Sequence, residues 1–216
     1  MADFAVLRIA KIKSLRGLSG EASHNSRTAT AGIHHANNHA PLMGGGSQLL
    51  AGQEDALAAW KARASAVSLT KPRKDAVRAL EMVMSASPEW FQQALPEERQ
   101  QWRDKSLAWA TELFGKENIL SAHLHDDEQT PHLHILAIPL AQKIRKKAGR
   151  PRKGRKSQTR QEVKTWGLTA ADLVGTPEKL VELQSRYAAE VAGLGIRRGR
   201  PRRATGAQHI SPALYR

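Results

Sequence analysis

Apolar and polar positions alternate through residues 4–13 (FAVLRIAKIK). Leu7 and Ile9 fall on one side and Val6, Arg8 and Ala10 on the other, with Phe4 outside the clean alternation. That pattern predicts a half-buried strand. Residues 17–47 lose the pattern: Gly, Ser, His and Asn dominate up to Gly44-Gly45-Gly46-Ser47, which reads as a loop or mobile segment. From Gln48 to Val67, Leu49, Leu50, Leu57 and Trp60 among alanines predict a helix. Ala76 to Ala86 is a candidate strand whose Leu, Glu and Met would also tolerate a helix. Ser87-Pro88-Glu89 has the form of a helix start, and Phe91, Leu95, Trp102, Leu107, Trp109 and Leu113 then recur at helical spacing up to Gly115. Pro96 should split this stretch into two helices, with the tryptophans in the core. Ile119–Leu124 and His132–Ile138 read as short strands joined by a polar connection, the second ended by Pro139. Residues 143–164 fit either a hairpin or a disordered loop. Thr169 to Ala192 reads as one or two helices, with Thr176-Pro177-Glu178 a start signal. The mixed order predicts an α+β fold, a central, mainly antiparallel sheet flanked by helices.

The 216 residues suffice for one domain with a small appendage, set here at 1–195 with a tail at 196–216. No apolar run is long enough to span a membrane, no membrane contact is evident, and the N-terminus lacks the pattern of a signal peptide, so a bacterial cytoplasmic location is expected. The absence of cysteine excludes disulfides, thiolate catalysis and sulfur-ligated metals. The net charge of +14 is concentrated: residues 143–164 hold eleven Lys or Arg against one acid, and 197–203 hold five Arg. The remainder carries 18 bases and 19 acids. A neutral body with two basic segments is the footprint of a polyanion binder; a solvated tail is the blander alternative. The phosphate contacts expected from these segments are Lys146, Lys147, Arg150, Arg152, Lys153, Arg155, Lys156, Arg198 and Arg200. Each segment contains Gly-Arg-Pro, and Arg198–Arg203 resembles an AT-hook.

The densest chemistry lies in 123–135, HLHDDEQTPHLHI. On a strand, His132 and His134 project to one side, with Leu133 on the other. A paired preceding strand would bring His123 or His125 alongside, so three imidazoles can converge on a metal. A three-histidine site leaves coordination positions open for water or a phosphate oxygen. Taken alone, the segment fits a hydrolytic zinc site or a magnesium or manganese site for phosphoryl transfer.

His125-Asp126-Asp127-Glu128-Gln129-Thr130-Pro131-His132-Leu133-His134 closely resembles the metal motif of the plasmid mobilisation relaxases of the MobV (Mob/Pre) family, within the HUH endonuclease superfamily. Ser23-His24-Asn25-Ser26-Arg27 resembles that family's N-terminal motif, and Arg73-Lys74-Asp75-Ala76-Val77 resembles a further one, in the expected order. The resemblance spans residues 1–140. It implies a strand-specific DNA nickase acting at a plasmid origin of transfer, on duplex or hairpin DNA plus a single strand, with other transfer proteins as further partners. Mn²⁺ or Mg²⁺ would sit on His125, His132 and His134, with Zn²⁺ also open. His24 would be the nucleophile, keeping the 5′-phosphate, with Glu128 as our candidate for its base. Asn25, Arg27, Arg73 and Lys74 would contact DNA. Two rivals stand beside this: a rolling-circle replication initiator using Tyr187 as nucleophile, and a DNA-binding protein without enzymatic activity.

Overall fold

The computed structural model describes residues 3–28, 41–146, 162–200, 204 and 206. Eight strands and six α-helices follow the order β1 (Phe4–Ile12), α1 (Leu15–Asn25), β2 (Ser47–Gly52), α2 (Ala56–Ala66), β3 (Ala79–Ala86), α3 (Pro88–Gln93), α4 (Pro96–Phe114), β4 (Ile119–His125), β5 (His132–Ala137), β6 (Leu140–Lys146), β7 (Glu162–Leu168), α5 (Ala170–Val174), α6 (Pro177–Val191) and β8 (Arg197–Arg198). Six strands form one sheet in the order β2-β4-β5-β3-β1-β8, and β6 pairs with β7 in a separate ribbon. All pairings are antiparallel except that of β1 with β8. The α+β expectation holds.

Two elements differ from the sequence reading. Residues 17–25, read as loop, belong to α1, whose start is capped by Ser14 Oγ accepting from Gly17 N at 2.9 Å. Leu18 and Ala22 bury that helix against the sheet, and packing outweighs its two glycines. Residues 47–52, read as the start of a helix, are β2. The chain then turns at Gly52, φ +78°, where an added Cβ would lie 2.3 Å from the Leu120 carbonyl oxygen. Asp55, its Oδ1 accepting from Ala58 N at 2.9 Å, starts α2. Pro96 does separate α3 from α4, as expected. Ile196 is fully buried and Arg197–Arg198 pair with β1, so the fold continues past residue 195.

Strand alternation gives the sheet two unlike faces. Leu7, Leu80, Met82, Met84, Leu124, Leu133 and Ile135 point to the side covered by α3–α6, where Phe91, Trp102, Trp109, Leu183 and Tyr187 complete the larger core. Phe91 and Trp102 meet edge to face at 4.8 Å. On the opposite face, Ile12, Ala79, Leu136 and Ile138 pack under Leu18 and Ala22 of α1 and Ala56 and Trp60 of α2. Those two helices cover only one end of that face. The histidines lie towards the other end, where the last residues of α1 reach them. The β6–β7 ribbon is docked by Arg63 of α2, whose guanidinium stacks 5.3 Å from the Trp166 ring centre and donates to Asn118 Oδ1 at 2.8 Å. Among the described residues, no helix is long and apolar enough to cross a membrane.

Candidate metal centre and active site

Antiparallel pairing sets His125 opposite His132 and His123 opposite His134, so alternation places all four on the same sheet face. The ligand atoms of His125, His132 and His134 lie within 4.8 Å of one another, with ring centres 4.6 to 5.2 Å apart. Each of the three gives one nitrogen to a fixed acceptor. His125 Nε2 donates to the Asn25 carbonyl at 2.7 Å, His132 Nδ1 to the Thr130 carbonyl at 2.9 Å, and His134 Nδ1 to Glu81 Oε1 at 2.9 Å. That leaves His125 Nδ1 and the Nε2 atoms of His132 and His134 with free lone pairs. His125 Nδ1 is buried without a protein partner. Burial, reinforced by the neighbouring imidazoles, holds His125 and His134 down at about 3, so both are neutral at pH 7. Three oriented imidazoles with free lone pairs suit a divalent cation, and the donor set fits the group implied by the sequence.

His123 stands apart from this cluster: it is buried, and its Nε2 pairs with Glu54 at 3.0 Å. His24, near the end of α1, is half-buried, its ring centre 6.0 Å from that of His125 and 5.7 Å from that of His134. Among the described residues, neither of its ring nitrogens is hydrogen-bonded. The carboxylates on which His24 acts electrostatically are Glu21 and Glu81. Burial pushes both above the ordinary carboxylate value, and Glu81 raises Glu21 further.

The acids of the connection divide their tasks. Asp127 and Glu128 both hold Arg27, whose Nη2 lies 2.8 Å from Asp127 Oδ1 and 2.6 Å from Glu128 Oε1. Burial opposes ionisation of these carboxyls, and hydrogen bonding from Arg27 overcomes it, so both stay below their usual values. Glu128 also lies 3.8 Å from His125 Nδ1 and 3.9 Å from His132 Nε2, on the metal side of the site. Arg27 itself sits at φ +58° in the turn that ends α1, its N–H donating to His24 O and that of Thr28 to Ser23 O. Asp126 faces elsewhere and accepts from the backbone N–H groups of Leu42, Met43 and Gly45. Asp126→Ala would leave those donors without their acceptor, and a loss of about 2 kcal/mol is expected. Urea unfolding, with faster hydrogen exchange at residues 42–45, would check this; unchanged exchange there would show that Asp126 does not hold the loop.

The other expected site residues are dispersed. The Asn25 side chain, expected on DNA, is fully buried, while its carbonyl accepts from His125 and from Ser47 Oγ at 2.7 Å. That carbonyl fixes the ring of His125. Arg73 and Lys74 are exposed between α2 and β3, with Arg73 only loosely paired to Asp75 at 3.8 Å. Arg198 is tied to α6, donating to Gln184 Oε1 at 2.8 Å, and Arg200 is exposed. The backbone of Lys146 ends β6; Lys147, Arg150, Arg152, Lys153, Arg155 and Lys156 lie outside the described residues. Tyr187 is fully buried on the opposite side of the sheet, its hydroxyl 3.1 Å from Trp102 Nε1 and 3.0 Å from Ser106 Oγ. Burial pushes its phenol up to about 12. This corrects the tyrosine alternative: Tyr187 cannot reach a strand at the histidines. Glu81 was missed, although a lone acid in the apolar stretch ALEMVMSA was the signal for it.

The profile of the Mob_Pre family, described as plasmid recombination enzyme, matches residues 1–216. A 65 kDa protein of Zymomonas mobilis subsp. mobilis is 30% identical over 202 residues, 92% of this chain and 30% of that protein. A plasmid recombination enzyme type 3 of Staphylococcus aureus is 24% identical over 222 residues, 99% of this chain and 48% of the relative. The chain thus spans less than half the length of these two relatives. Among solved structures, the Mn-bound MobM relaxase domain on plasmid pMV158 oriT DNA at pH 5.5 superposes with a TM-score of 0.70 at 20% identity, covering 98% of this chain and 97% of that one. The same relaxase domain bound to a 26-nucleotide oriT DNA gives 0.66 at 18% identity, covering 99% of each chain. At those identities the likeness is one of fold.

Proposed function

This chain belongs to the Mob_Pre family of plasmid recombination enzymes, and from that premise we propose that it nicks and rejoins one DNA strand at a plasmid origin of transfer, through a covalent intermediate on His24. The observation that carries this is the convergence of three imidazoles with free lone pairs beside an uncommitted histidine. The family match, and MobM structures on oriT DNA with manganese, support it.

His125, His132 and His134 would hold the divalent cation, Mn²⁺ or Mg²⁺ in preference to Zn²⁺, with Glu128 beside them. When bound, it polarises the scissile phosphate and offsets the charge of the transition state. A ring-nitrogen lone pair of His24 attacks phosphorus, and the bond to the 3′-oxygen breaks. The 5′-phosphate stays on the ring as a phosphoramidate, while the other ring nitrogen loses its proton. Glu128 is held by Arg27 and kept acidic. Glu21 and Glu81, pushed up by burial and electrostatically coupled to His24, are further candidates to take that proton, which can then go to the 3′-oxygen. Attack by the 3′-hydroxyl reverses the steps and rejoins the strand. Mobilisation of the plasmid between cells is the biological outcome we assign to this chemistry. The basic stretch 143–164, which begins in β6 and ends in β7, is assigned to duplex DNA.

The test is relaxation of supercoiled plasmid carrying the cognate origin, with Mn²⁺ or with EDTA. Metal-dependent nicking at one strand position is expected; tight binding without nicking would leave only a DNA-binding protein. Tyr187→Phe is expected to keep nicking at the wild-type rate while losing about 1 kcal/mol of stability with its hydrogen bonds. Loss of nicking in a folded Tyr187→Phe protein would restore the tyrosine alternative.

A further inference from the structure

The sheet face that carries the histidines does not end at them. Past β5 it continues over β3, β1 and β8, beyond the cover of α1 and α2. Alternation sets Val83 of β3 and Val6 and Arg8 of β1 on this face, since their neighbours Met82, Met84 and Leu7 lie in the opposite core. Arg8 is exposed, and Val6 and Val83 are partly so. His134 is the register partner of Val83, and Val83 that of Arg8. Arg8 therefore shares a row with a metal-site histidine two strands away, about 10 Å at strand spacing. Phe4 lies further along β1 on the same face, 39% exposed, and is paired with Arg197, itself exposed and opposite in direction to buried Ile196. Among the described residues, neither Arg8 nor Arg197 has a carboxylate partner.

Among the described residues, two unpaired guanidiniums and an exposed aromatic ring share a strip continuous with the histidine cluster, and together they have the makings of a single-strand platform. Arginines take backbone phosphates, and a phenyl face stacks on any base. We propose that the β3-β1-β8 face, through Arg8, Phe4 and Arg197, is a track for single-stranded DNA leading away from the scissile phosphate. Its direction from the metal outward rests on the nicking function above; its single-strand preference does not. The distance from His134 to Arg8 corresponds to about three stacked nucleotides at ~3.4 Å each. Duplex is disfavoured because stacking on Phe4 needs an unpaired base.

The experiment is anisotropy binding of a thymidine oligonucleotide of roughly 20 nucleotides, and of a duplex of equal length, over a salt series. The proteins are the wild-type chain, the Arg8→Ala/Arg197→Ala double variant, Phe4→Leu and Phe4→Tyr. Oligonucleotide affinity should fall by about tenfold or more in the double variant and in Phe4→Leu. The slope of log affinity against log salt should flatten by about 1.4 in the double variant only. Phe4→Tyr should bind as wild type, and duplex affinity should hold throughout. Unchanged oligonucleotide binding in the double variant and Phe4→Leu overturns the track. So does an equal loss for duplex, which makes the face a general polyanion surface. Nicking assayed in parallel separates the two readings. Unchanged oligonucleotide affinities with intact nicking remove the track and leave the relaxase. Weakened affinities in a chain whose wild type nicks no origin DNA keep the track and remove the relaxase.

Discussion

His24→Ala is expected to abolish nicking and the covalent protein–DNA adduct together, with the cleavage rate falling by at least about 10⁴-fold, the scale seen when a nucleophile is deleted. The fold should be untouched. His24 is half-buried, the turn after it is closed by backbone hydrogen bonds, and alanine favours a helix. Metal binding should also survive, because none of the three ligand orientations depends on the His24 ring. Mass spectrometry of the wild-type adduct should place the 5′-phosphate on the peptide containing His24. An adduct that persists in His24→Ala would transfer the nucleophile elsewhere and end the histidine mechanism.

The second large effect is expected on the metal. His125→Ala removes a proposed ligand that is fully buried and whose spare nitrogen has no hydrogen-bond partner among the described residues. Mn²⁺ affinity, read by titration calorimetry, should drop by about 100-fold or more, the upper range seen even for outer-shell partners. Nicking should disappear at Mn²⁺ concentrations that saturate the wild type. His123→Ala is the informative control: it lies on the same strand and face but pairs with Glu54, so it should lose stability without losing metal affinity. Equal metal loss in both variants would mean that the site is not the one described.

Much of this centre was legible because its logic is local. Spacing of two puts His132 and His134 on one face, and a short connection returns the chain past His125. What was not legible depends on long-range pairing. Glu81 reaches His134 only because β3 pairs with β5, and Asn25 is a backbone acceptor only because α1 lies across β4. The composition of α1 predicts a loop, because the helix draws its stability from burying Leu18 and Ala22 and not from propensity. The residues of β2 predict a helix as readily as a strand, since Leu49 and Leu50 suit either state, and pairing with β4 decides. Tyr187 looked available because a helical period says nothing about which side of a sheet the helix covers.

Arg27 makes the active centre and the heat resistance of the fold competing objectives. A left-handed backbone costs a residue with a side chain of order 1 kcal/mol, which glycine would avoid. Its partly exposed ion pairs with Asp127 and Glu128 return about 0–1 kcal/mol. A laboratory lineage selected only for survival at high temperature would therefore drift toward glycine at this position. It would discard the cation that holds those two acids, and with them the placement of Glu128 beside the metal ligands.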